Sequence, residues 1–119
     1  MTDALTQFRD TVDQICGKLP GATRATEAQG EIPSWKVGGK MFATLGHRFD
    51  HVSVKCTDVE TAAMLIEAGI ATKAKYFHRS WVTLHPSSTP EELTHRIQVS
   101  YDLIRSSLPK KHQATREEA

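Results

Sequence analysis

The chain has 119 residues, 39% of them hydrophobic, enough for one compact domain with its own core and no need of metal or disulfide staples. Fifteen basic and 14 acidic side chains leave a formal charge of +1, which excludes the strongly basic balance of a dedicated nucleic-acid binder and makes any polyanion site a local one. No run of about 18 apolar residues is present and the amino end, MTDALTQFRD, is polar and acidic, so a cytoplasmic protein without a membrane span is expected.

Leu5, Phe8, Val12, Ile15 and Leu19 step by three and four residues, which predicts a helix from Thr2 or Asp3 that ends at Leu19-Pro20-Gly21. ATRATEAQ, from Ala22 to Gln29, reads as a short edge strand with poor alternation. IPSWKVGGKMFATLG reads as two strands about a glycine bend. A three-residue loop, Gly38-Gly39-Lys40, with a bulge gathers Trp35, Val37, Met41, Ala43 and Leu45 on one face and leaves Ser34, Lys36, Phe42 and Thr44 on the other. A strict two-residue turn instead pairs Val37 with Lys40 and Trp35 with Phe42. The odd loop is preferred because it separates apolar from polar residues more cleanly.

GHRFDH follows as a loop, and then Val52, Val54 and Cys56 alternate with His51, Ser53 and Lys55 as a half-buried strand. Asp58 is an N-cap for a helix through Val59, Ala62, Ala63 and Ile66, closed by Gly69. ATKAKYFHRS is irregular or extended, and WVTLH is a further strand. Thr89-Pro90-Glu91-Glu92 has the form of a capping box, and Leu93, Ile97, Tyr101, Ile104 and Leu108 line one face of a last helix stopped by Pro109. The order, roughly α-β-β-β-α-β-α with short connections, predicts an α+β two-layer sandwich: an antiparallel sheet with helices packed on one face. Residues 1–108 form this single domain and 109–119 a polar tail. With no exposed heptad or long apolar strand, a monomer is expected.

Catalytic chemistry finds little support. VGGK lacks the spacing and following Ser or Thr of a phosphate-binding P-loop, and glycines at a turn are explained by positive φ alone. Cys16 and Cys56, without a CxxC or a partner histidine at zinc spacing, read as reduced core thiols. His47, Asp50 and His51 offer two imidazoles and a carboxylate, but within five residues they make a cramped metal site and a polar strand connection explains them better. His78 and His85 flank Trp81 without a nucleophile pattern, and His95 belongs on the polar side of the last helix. No enzyme activity, cofactor or metal is expected.

Charge is uneven along the chain. Lys36, Lys40, Arg48, Lys55, Lys73, Lys75 and Arg79 stand against Asp50, Asp58, Glu60 and Glu67 between residues 36 and 79. By strand parity Lys36 and Lys55 share an exposed sheet face near Phe42 and the Lys40 turn, and Trp81 joins them because Val82 and Leu84 claim the core. Such a face can meet phosphates and stack on bases. On the pattern alone the plainer reading is favoured: lysines there solubilise a sheet, with Trp81 and Phe42 packed under a loop or tail.

WKVGGKMFATL, VSVKC, WVTL and SYDLIRSSLPKK, together with ICGKLPGA, resemble the MmcQ/YjbR family over roughly residues 5 to 111. The resemblance implies an α+β fold related to CyaY-like and secretion-chaperone-like two-layer proteins, and DNA binding through a double-wing pair of strand loops. Carried onto this chain, it places Lys36, Gly38, Gly39, Lys40 and Phe42 in the first hairpin, with Lys55 and Trp81 on neighbouring strands. GHRFDHVSV is then the second loop, with Asp50 in it. Arg48, Lys73 and Lys75 complete the candidate DNA-binding set, and the expected partner is double-stranded DNA. Two other readings stay open: a protein-interaction or chaperone-like module using a sheet edge or the last helix, and a protein that binds a small anion near Lys40 and His51.

Overall fold

In the computed structural model, which describes residues 4–46 and 48–108, Phe8, Val12 and Cys16, four residues apart and so on one helical face, are the buried side chains of α1 (Ala4–Gly17). β1 (Ala22–Ala25) follows, then a single 3-10 turn at Glu27–Gln29, β2 (Ser34–Val37), β3 (Lys40–Thr44) and β4 (Val52–Lys55). α2 (Val59–Glu67) leads to β5 (Thr72–Lys73), β6 (Trp81–Leu84) and α3 (Pro90–Ser106). The anticipated tail 109–119, the stop at Pro109 and His47 lie outside the described residues.

The capping signals act as their sequence suggests. Asp58 accepts from the Thr61 N–H at 2.7 Å and starts α2, and Gly69 follows that helix at φ 77°. Thr89 Oγ1 accepts from the Glu92 N–H at 3.1 Å and starts α3, with Pro90 in its first turn. The Glu92 carboxylate turns to Arg96 one helical turn on, at 2.7 Å, rather than back to the cap.

The strands form one antiparallel sheet in the order β1-β2-β3-β4-β6-β5. Both segments without a clear alternation contain strands: ATRA is the edge beside β2, and TK, inside the stretch read as irregular or extended, is the opposite edge beside β6. Alternate positions Val37, Ala43, Val52, Val54, Val82 and Leu84 join Phe8, Val12, Ala62, Leu65, Leu93 and Ile97 in one core, so residues of all three helices share one side of the sheet. The reverse face carries Ser34, Thr44, Ser53 and Thr83, small enough to be buried between neighbours, with Ser53 and Thr83 hydrogen-bonded at 2.8 Å. Among the described residues no helix is long and apolar enough to cross a membrane.

Candidate nucleic-acid interface

Turn chemistry decides the glycine hairpin. Gly38 and Gly39 have φ of 58° and 83°, the paired positive values of a two-residue hairpin turn, and Val37 pairs directly with Lys40. The odd loop is therefore replaced by a tight turn, and the irregularity falls later: Lys36 pairs with Met41, but Trp35 with Ala43, leaving Phe42 as the extra residue of a bulge. Trp35, Val37, Ala43 and Leu45 thus keep the side that polarity assigned them, while Met41 and Phe42 exchange sides. Phe42 is 0% exposed, with its ring edge-on to Tyr101 at 5.3 Å. It is a core residue and cannot stack on a base.

The bulge also opens the sheet. β3 and β4 pair only at Ala43–Val54 and Thr44–Ser53. Beyond that point the buried Ser100 hydroxyl of α3 donates to the Phe42 carbonyl (2.6 Å) and accepts from the Lys55 N–H (2.9 Å), satisfying two backbone groups the ladder no longer joins. A notch of about 510 Å³ results, with Lys36, Lys40, Met41 and Trp81 among its walls and Ile104 of α3 reaching it.

Lys36 Nζ meets the Glu31 carboxylate across this notch. A partly exposed pair of this kind is worth only about 0–1 kcal/mol, so a phosphate can displace Glu31 at small cost. Lys40 is exposed, with Nζ 3.5 Å from Ser107 Oγ at the end of α3. Gly38 lies under Leu108, and a Cβ there would come within 2.5 Å of the leucine Cδ1, so this glycine serves packing as well as the turn; Gly39 has open space around it.

Strand directions then show what shares the glycine end of the sheet. Lys55 closes β4 opposite Trp81, which opens β6, and Lys73 closes β5 opposite Val82. The residue 74–80 connection between β5 and β6 therefore emerges at the same end of the sheet as the Gly38-Gly39 turn. It carries exposed Lys75 and Arg79 and, at φ 70°, a fully exposed Tyr76 (101%). Phe77 stacks on Trp81 at 4.9 Å and 26°. Sequence reasoning passed over Tyr76 and Phe77; the available signal was an aromatic pair inside the basic run KAKYFHR.

GHRFDH, expected as the second loop, lies at the other end, joining the end of β3 to the start of β4. Arg48 goes with it. The Arg48 and Phe49 carbonyls accept from Arg9 of α1 at 2.6 and 2.9 Å, and the Phe49 ring, held at φ 56°, lies near the guanidinium groups of Arg9 and Arg24 at 5.7 and 5.5 Å. Arg24 Nε is also 3.6 Å from Asp13, which accepts from the Trp35 indole at 2.9 Å. Asp50 is hydrogen-bonded to His51 at 2.8 Å, and that bond holds its carboxyl below the usual range.

Among the described residues no group of three or more His, Cys, Asp or Glu side chains is placed to hold a metal ion. Both cysteines are buried free thiols, and burial pushes each thiol up, with the charge of Asp13 adding to the effect at Cys16. His78 Nδ1 is engaged with Ser80 at 2.9 Å, and His85 with Thr72 at 2.7 Å.

Of the candidate set, Lys36, Gly38, Gly39, Lys40, Lys55, Lys73, Lys75 and Trp81 are gathered at one end of the sheet, Phe42 is withdrawn into the core and Arg48 sits at the opposite end. A family model described as YjbR matches residues 17–103. The crystal structure of the Deinococcus radiodurans protein DR2400, described as a DUF419 domain, is similar with a TM-score of 0.75 and 21% identity, covering 89% of this chain and 85% of that one. At that identity the likeness bears on the fold alone. No curated protein matches the sequence.

Proposed function

The chain belongs to the YjbR family, and on that premise we propose that it is a non-enzymatic DNA-binding protein that grips a duplex with the two hairpin tips at the glycine end of its sheet. The observation that carries this reading is the shared end itself. The Gly38-Gly39 turn and the 74–80 loop are separated by three inter-strand steps in the order β2-β3-β4-β6-β5. At about 4.8 Å per step that is about 14 Å, before the splay at the notch is added. The major groove is about 12 Å wide, so two tips at this separation match the phosphate rows along its edges.

In this arrangement Lys36 and Lys40 on one wing, and Lys73, Lys75 and Arg79 on the other, contact phosphates. Tyr76 at the tip and Lys55 with Trp81 between the wings face the groove. Phosphate contacts dominate, so affinity is set by counterion release and falls with salt. The near-neutral chain adds little steering beyond the Debye length of about 8 Å at physiological salt, so the binding is weakly sequence-specific and clearest at low ionic strength. A cytoplasmic location and a monomeric state belong to the same proposal.

Fluorescence anisotropy of a short labelled duplex at low salt tests it. Binding is expected, weakening as salt is added, and Lys40→Glu combined with Arg79→Glu is expected to weaken it by about tenfold or more through loss of phosphate contacts. Absence of a salt-dependent signal at high protein concentration contradicts the proposal. Exposed Met64, Ile66 and Ile70 on and just after α2 favour a second reading, a protein-interaction module. Recovery of one specific partner in a pull-down that nuclease does not disturb, with no duplex binding, supports that reading instead.

A further inference from the structure

A second hollow, of about 310 Å³, lies between α2 and the β5–β6 loop. We infer that it is a binding site for a small carboxylic acid with a flat apolar body. One wall is the stripe Val59, Ala63 and Ile66, which steps by four and three along α2, away from the face that buries Ala62 and Leu65 in the core. Facing it is the stacked pair Phe77 and Trp81. Aliphatic side chains on one side and aromatic rings on the other leave a slot whose apolar surface gains from covering.

The slot's charge is one-sided. Lys73 and Arg79 line it with His78, and among the described residues that line it none is a carboxylate. A guanidinium and an ammonium beside an apolar slot complement an anion, and Arg79 suits a planar carboxylate, which it can engage through two parallel hydrogen bonds. The volume sits at the lower end of the about 300–1,000 Å³ typical of ligand sites, which fits one or two fused rings and not a dinucleotide. This inference does not rest on DNA binding, and it is tested without DNA.

The experiment is an amide-resolved NMR titration of the full chain with 1-naphthoate, alongside its neutral analogue 1-naphthamide and acetate as the charge without the body. Saturable shifts are expected for residues 73–81 and the Trp81 indole, with 1-naphthamide bound about tenfold more weakly because the charge-assisted bonds are lost and acetate producing no saturation. Arg79→Gln should bring acid and amide closer together. Ala63→Phe, a filled slot at an exposed helix position, should abolish both while the rest of the spectrum stays folded. Equal affinity for acid and amide, shifts centred elsewhere, or an unchanged spectrum up to the solubility limit overturns the site.

Discussion

The two ends of the sheet carry similar residues and use them differently. At the end where β3 connects to β4, Arg9 and Arg24 are turned to the fold: Arg9 donates to the carbonyls of Arg48 and Phe49, Arg24 approaches Asp13, and both guanidinium groups lie near the Phe49 ring. Their charge holds a loop in place. At the glycine end, Lys40, Lys73, Lys75 and Arg79 are exposed at or beside the hairpin tips, and Lys36 meets a carboxylate in a partly exposed pair that is cheap to break. A count of cations along the chain treats the two groups alike. What separates them is the geometry that commits one set to the fold and leaves the other facing solvent.

The largest expected effect comes from the residue that links this contrast to the core. Phe42→Ala should lower stability by about 3–5 kcal/mol in urea denaturation, the usual range for a large buried aromatic, because it empties the space against Tyr101 at the bulge. A loss below about 1 kcal/mol, within the range of surface changes, would return Phe42 to the surface and break the account of how the notch opens. Next in size is Gly38→Ala, which adds a Cβ at φ 58° against Leu108 and should cost clearly more than Gly39→Ala, where strain of about 1–2 kcal/mol acts without a clash. Equal costs would mean that the end of α3 does not press on the turn.

Charge reversal sharpens the comparison directly. Lys40→Glu and Arg79→Glu should each weaken duplex binding severalfold at low salt, whereas Arg48→Glu, at the opposite end, should leave it within about twofold. The smallest effect concerns acid stability at the 46–51 loop. The His51 hydrogen bond lowers Asp50's folded value. Its contribution is therefore fully present above the unfolded carboxylate value near pH 4 and is lost as pH falls through the lower folded one. Asp50→Asn should flatten the fall of the urea midpoint in that acid window and leave the glycine end's duplex binding unchanged.

The parts of the molecule set by local patterns were legible in the sequence. Helical spacing located the buried faces of α1 and α3, Asp58 and Thr89 marked two helix starts, and alternation placed Val52 and Val54 in the core. Polarity alone could not place the hairpin bulge. Paired positive-φ glycines imposed the tight turn, and the parity that polarity demanded was restored two residues later, at Phe42. The 74–80 connection was not legible as a hairpin tip for another reason: β5 is two residues long, too short to show periodicity, and its place at the edge beyond β6 follows from long-range pairing. With β5 unread, ATKAKYFHRS stays an irregular or extended stretch, and GHRFDH takes the place of the second loop beside the glycine turn.

The most direct measurement is an amide-resolved titration of the chain with a short duplex at low salt. Two hairpin tips acting together predict shifts concentrated at residues 38–41, at Lys55 and across 73–81, fading together as salt is added. Shifts centred on 46–51, or confined to one tip while the other stays silent, would contradict a grip made by both.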